Sequence, residues 1–135
     1  MDILIVDKDR AAGRAAVSKL IFEGHDVHGP VASVSEAFDI ASEFDLDIAI
    51  LDIRLRDGMS GAALATRLMN NGVPVIITTR ALPTSTASGL AAHSLIRKPY
   101  TITDLVQAVR AVGGQRDGEQ GSRRSARAIS RRRLH

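Results

Sequence analysis

Four side chains suited to phosphoryl chemistry stand where short apolar runs give out. Asp7 follows Ile3-Leu-Ile-Val6, Asp52 follows Ile48-Ala-Ile-Leu51, Thr79 closes Val75-Ile-Ile-Thr-Thr79, and Lys98 comes just after Ser94-Leu-Ile96. Two carboxylates and a loop carbonyl suit a small hard cation such as magnesium, which takes oxygen ligands and keeps several waters. A lysine can steady an incoming phosphoryl group while a hydroxyl hydrogen-bonds one of its oxygens. Phosphoryl transfer then needs little beyond in-line positioning and charge neutralisation. In such a set Asp52 is the nucleophile and forms an acyl phosphate. Singly, each residue has a structural explanation: Asp52 or Thr79 closing a turn, Asp7 capping the first helix, Lys98 snorkelling at the surface. Position is what joins them.

That position depends on the elements between. Ile3-Leu-Ile-Val6 reads as a strand buried on both faces, because its apolar run is continuous rather than alternating. Gly13, Ala16, Val17, Leu20 and Ile21 recur at helical spacing, with Gly24 as the stop. Asp26 to Val31 is a weaker strand whose Gly29-Pro30 suits a sheet edge, where a missing N–H costs no ladder bond. Ser33 and Glu36 form a capping box for a helix carrying Val34, Ala37, Ala41 and Phe44 along one face. Asp47 to Leu51 is the central strand. A third helix starts at Ser60 or Gly61, carries Leu64 and Leu68, and ends at Gly72. Pro74 opens the fourth strand. Residues 81–92, rich in Ser, Thr, Ala and Gly, make a weak helix with little to bury. After the short fifth strand, Thr101 caps a last helix with Asp104 at its third position and Leu105, Ala108, Val109 and Val112 as its buried stripe.

Five strand–helix alternations imply an α/β fold with a parallel sheet covered on both faces. Right-handed crossovers leave few doubly wound orders. In the flavodoxin-like five-stranded order 2-1-3-4-5, the first and third strands flank the switch point where a ligand is expected. Those strands end at Asp7 and Asp52, so all four candidates reach one pocket at the carboxyl edge.

A chain of 135 residues is long enough for one core without staples. With no cysteines, a disulfide scaffold and a thiolate zinc site are excluded, and a reducing cytosol suits the chain. The four histidines lack the short helical spacing of a metal pair. No apolar run approaches the ~20 residues that span a bilayer. Met1-Asp-Ile-Leu-Ile-Val6 opens as a strand and not as a signal peptide, so the expected location is cytoplasmic. The net charge of +3 is uneven: residues 1–114 hold 11 Lys/Arg against 13 Asp/Glu, and residues 115–135 hold 7 Arg against 2 acids. Residues 1–114 are therefore the expected domain, and 115–135 a basic, disordered tail. Its Arg123-Arg124 and Arg131-Arg132-Arg133 clusters could touch nucleic acid or an acidic membrane, although they lack aromatics for base stacking.

Over residues 2 to about 113 the chain resembles a response-regulator receiver domain. The resemblance is carried by Leu4-Ile-Val-Asp7, Leu51-Asp52-Ile-Arg54, Pro74-Val-Ile-Ile-Thr-Thr79 and Arg97-Lys98-Pro99-Tyr100, in that order and spacing. Asp57-Gly-Met-Ser-Gly61 looks most like stand-alone receivers of alpha-proteobacterial type. The resemblance implies a phosphoacceptor of a two-component phosphorelay rather than a turnover enzyme, with at most self-catalysed phosphorylation and dephosphorylation. By it, Asp52 accepts phosphate from a histidine kinase or phosphotransfer protein, and Thr79 and Lys98 contact the phosphoryl group. Asp7, Asp52 and the backbone carbonyl of Arg54 hold magnesium. With no output domain expected after residue 114, signalling passes to a downstream protein through the 81–112 face.

Three positions depart from the family pattern. Receivers usually carry two consecutive acids after the first strand, the second a direct metal ligand; here it is Lys8, which repels a cation. The position after Thr79, normally small, is Arg80. The aromatic switch residue of the fifth strand is replaced by Leu95. These departures support an alternative, a pseudo-receiver that docks partners without phosphorylation. Asp7-Lys-Asp9 also matches the start of haloacid-dehalogenase-type phosphatases, but no adjacent acids follow the fourth strand to complete their metal site.

Overall fold

The computed structural model describes residues 1–55, 61–80 and 94–114. The expected helix over 81–92, the tail 115–135, and Arg56, Asp57 and Ser60 lie outside the described residues. Within them the chain runs β1 (Asp2–Val6), α1 (Arg10–Phe22), β2 (Asp26–Val31), α2 (Val34–Glu43), β3 (Ile48–Asp52), α3 (Gly61–Asn70), β4 (Val75–Thr79), β5 (Ser94–Arg97) and a last helix, α4, over 102–114. All strands pair in parallel in the order β2-β1-β3-β4-β5. The expected α/β class and strand order both hold.

Alternation of side chains along each strand divides the core in two. Leu4, Val6, Ala49, Leu51, Val75 and Ile77 face α2 and α3, meeting Ala37, Leu64, Ala65 and Leu68. Ile3, Ile5, Ile48, Ile50 and Ile76 face the other way, against Ala16 and Leu20 of α1 and Leu105, Val109 and Val112 of α4. Every residue of β3 and β4 is buried. This is why their sequences read as unbroken apolar runs.

Capping follows ordinary hydrogen-bond rules. Ser33 accepts the Glu36 N–H at the start of α2. Thr101 and Asp104 exchange bonds reciprocally at the start of α4, at 3.0 and 3.2 Å. Gly24 and Gly72 take positive φ (94° and 82°) just past α1 and α3, where a side chain would be strained.

Several local expectations shift. The α1 cap is Asp9, which accepts the N–H groups of Ala11 and Ala12; Asp7 is thereby released from the capping role its position allowed. Ile21 lies on the outer side of α1, 55% exposed, so the buried stripe is Gly13, Ala16 and Leu20. Phe44 is the C-cap of α2 rather than part of its buried face, and its ring packs on His28 with centroids 4.2 Å apart. Asp47 precedes β3 and turns its carboxylate to the Asp2 N–H, at 2.8 Å. Asp52 is the last residue of the strand itself.

The start of α3 presses directly on the end of β3. A Cβ placed on Gly61 would lie 2.5 Å from the Ile53 carbonyl oxygen and 2.7 Å from that of Asp52. Backbone atoms cannot yield as a flexible side chain would. Gly61→Ala is therefore expected to lower unfolding stability by about 1–3 kcal/mol, the range for overpacking a tight site. Urea denaturation checks this, and an unchanged midpoint would contradict the contact.

Candidate functional site

Backbone bonds between neighbouring strands deliver each strand end to the same edge. The Asp7 N–H donates to Val31 O at 2.8 Å, Ile53 N–H to Thr78 O at 3.1 Å, and Lys98 N–H to Thr79 O at 2.6 Å. Asp7, Asp52, Thr79 and Lys98 are buried there, 3–8% exposed. Such burial is costly for charged groups unless they are paired.

The pairing is direct. Lys98 Nζ donates to Asp7 Oδ2 at 2.8 Å and to Asp52 Oδ2 at 3.3 Å, so one ammonium links two carboxylates. The outer oxygens are held by backbone: Asp7 Oδ1 accepts the Asp9 N–H at 2.8 Å, and Asp52 Oδ1 the Arg54 N–H at 3.1 Å. Burial raises the Asp52 pKa above its ordinary value, outweighing the opposing pull of the Arg54 N–H and Lys98. For Lys98, burial acts downward but is overcome by the hydrogen bond to Asp7 and the charges of Asp7 and Asp52, so its pKa rises. Half-buried Tyr100 is pushed up by desolvation.

Above this triad opens a cavity of about 970 Å³. Asp52, Ile53, Thr79 and Lys98 line it together with Lys8, Asp9, Arg10, Ala32, Arg54 and Arg80. Asp52, Thr79 and Lys98 share that mouth, while Asp7, bonded to Lys98, lines an adjoining cleft with Arg10 and Ala32. Asp9, occupied as the α1 cap, brings Oδ2 to 3.9 Å from the exposed Arg80. Arg10 and Ala32 were not legible as site residues. Each flanks a capping residue, Asp9 and Ser33, and a helix start facing the carboxyl edge was the signal for both.

A family model for the response regulator receiver domain matches residues 3–110. The chain belongs to the response regulator receiver domain family. Among solved structures, a CheY-like receiver from Methanospirillum hungatei is 26% identical and covers 87% of this chain and 97% of its own, with a TM-score of 0.79. The signal receiver domain of a modulated diguanylate cyclase from Desulfovibrio desulfuricans is also 26% identical, covering 88% and 98% with a TM-score of 0.78. The PhyR response regulator receiver domain of Erythrobacter litoralis shares the fold at 21% identity, covering 82% and 88% with a TM-score of 0.74. No curated protein sequence matches significantly. Receiver domains are generally phosphoacceptors rather than classical enzymes, and they work with histidine kinases and downstream effectors. No helix among the described residues is long and apolar enough to cross a membrane.

Receiver domains typically bind magnesium at their acidic pocket, and the donor set of this receiver does not fit that ion. Lys8, the residue after Asp7, brings a cation to the cavity, Asp9 is occupied as a helix cap, and an ammonium already pairs with both Asp7 and Asp52. Among the described residues no group of three or more His, Asp or Glu could hold a metal. Leu95 of β5 is 39% exposed.

Two stability effects follow from the buried triad. Lys98→Met strands two facing carboxylates and is expected to cost about 3–5 kcal/mol, the range for breaking a buried ion pair; chemical denaturation measures it. Asp52→Asn should do the reverse at neutral pH. A carboxyl whose pKa is higher folded than unfolded stabilises the fold when protonated; that contribution is complete below the unfolded value and is lost as pH rises through the folded one. Asparagine stays neutral throughout. The variant's melting midpoint is expected to exceed the parent's at pH 7, with the gap closing on acidification through the carboxylate range. A gap that is constant with pH would remove burial as its cause.

Proposed function

We propose that this receiver accepts a phosphoryl group on Asp52 from the phosphohistidine of a histidine kinase or phosphotransfer protein, and signals through protein contact. The observation that supports it best is the Lys98 ammonium 3.3 Å from Asp52, at a sheet edge open to a cavity that Thr79 also lines. Transfer forms a bond between an Asp52 carboxylate oxygen and phosphorus as the bond to the donor nitrogen breaks. The imidazole leaves with that electron pair. Lys98 offsets the charge that builds on the phosphoryl oxygens, and the Thr79 hydroxyl donates to one of them. Once phosphorylated, Asp52 competes with Asp7 for the same ammonium. A shift of Lys98 and of β5 is the route to the 81–112 face, where a downstream protein binds.

A second reading, the phosphorylation-independent docking module, is favoured by one feature: Lys98 is already paired with both carboxylates. Mass spectrometry separates the two. After incubation with a small acyl phosphate and magnesium, or with a cognate kinase and ATP, one added phosphoryl group is expected on the parent and none on Asp52→Asn. Absence of an adduct under every condition would leave only the docking module.

A further inference from the structure

The cavity over Asp52 has the wrong sign for a metal and the right one for a phosphate. Among the described residues, five cationic side chains line it (Lys8, Arg10, Arg54, Arg80 and Lys98) against the carboxylates of Asp9 and Asp52. Neither acid is free to serve a metal. Asp9 caps α1 through Oδ1 and approaches Arg80 through Oδ2, and Asp52 is engaged at both oxygens by Arg54 N–H and Lys98. The third carboxylate, Asp7, is likewise engaged at both oxygens, by the Asp9 N–H and Lys98.

A divalent cation entering this mouth must displace an ammonium from between two carboxylates and then sit beside Lys8. A phosphoryl dianion meets the opposite field. The rim charges are unequal in weight: the Arg80 side chain is 79% exposed and heavily screened, whereas that of Lys98 is 7% exposed. Lys98 is therefore the principal cation, with the rim adding attraction and capture.

We propose that this receiver binds and receives phosphoryl groups on charge supplied by its own side chains, Lys98 foremost and Lys8 at the rim, and not by a divalent metal. The cavity is then an oxyanion site for inorganic phosphate and small acyl phosphates. The transfer half rests on the phosphoacceptor reading of Asp52; the binding half does not. In transfer from an acyl phosphate, an Asp52 oxygen forms the new bond to phosphorus while the bond from phosphorus to the donor's acyl oxygen breaks. The donor carboxylate departs with the electron pair, and no further reactant is consumed.

The test uses the full chain and acetyl phosphate, with excess chelator in one arm and magnesium in the other, followed by mass. A parallel NMR titration adds inorganic phosphate in chelator. The expected result is an Asp52-dependent adduct forming in chelator within about threefold of its rate in magnesium, under 1 kcal/mol of difference. Phosphate should also shift the resonances of Lys8, Arg54 and Lys98. An adduct slower than that in chelator overturns the inference and leaves the phosphoacceptor reading standing. No adduct in either arm, with phosphate still bound, overturns the transfer half and supports the oxyanion site alone; no adduct and no phosphate binding overturns the inference whole. Lys8 is exposed, so Lys8→Asp should fold normally, and it is expected to tighten magnesium binding about tenfold or more by exchanging a repelling charge for a ligand. Magnesium affinity unchanged in that variant would overturn the role given to Lys8.

Discussion

Everything at the carboxyl edge depends on the Lys98 ammonium. Without it, Asp7 and Asp52 would be two buried like charges at the ends of adjacent strands, an arrangement that protonation or distortion would have to relieve. With it, every carboxylate oxygen of the pair has a donor, and the two central strands can end close together. The two carboxylates thus share one cation, and the stability of this edge is drawn from that shared contact.

The sheet makes that contact possible. β1 and β3 are adjacent because the chain reverses its winding between them, and both are buried on two faces, so neither can slip by a residue without exposing a core layer. Backbone bonds from Asp7, Ile53 and Lys98 to neighbouring strands carry this register one step beyond the strand ends. Gly61 lets α3 begin within van der Waals contact of that edge. The fold thus holds Asp7, Asp52, Thr79 and Lys98 together with little freedom.

Lys8 and Arg80 bring cations to the mouth of this receiver, and Leu95, 39% exposed, stands in the fifth strand. With Arg10, Arg54 and Lys98, those two cations outnumber the carboxylates that line the mouth among the described residues.

Much of this was legible from residues alone. Continuous apolar runs, breakers such as Gly24 and Gly72, and the capping pairs at Ser33 and Thr101 determine five strands and the four described helices, because those signals are local. Four polar residues at strand ends then follow from the numbering. Which carboxylate caps α1, and that Lys98 contacts both Asp7 and Asp52, were decided only in three dimensions. Lys98 is 91 residues from Asp7 and 46 from Asp52, and its choice of partners is set by the packing of intervening strands rather than by its neighbours in the chain. Sequence patterns report which surface an element buries. Only tertiary packing determines which of several nearby charges share one desolvated site.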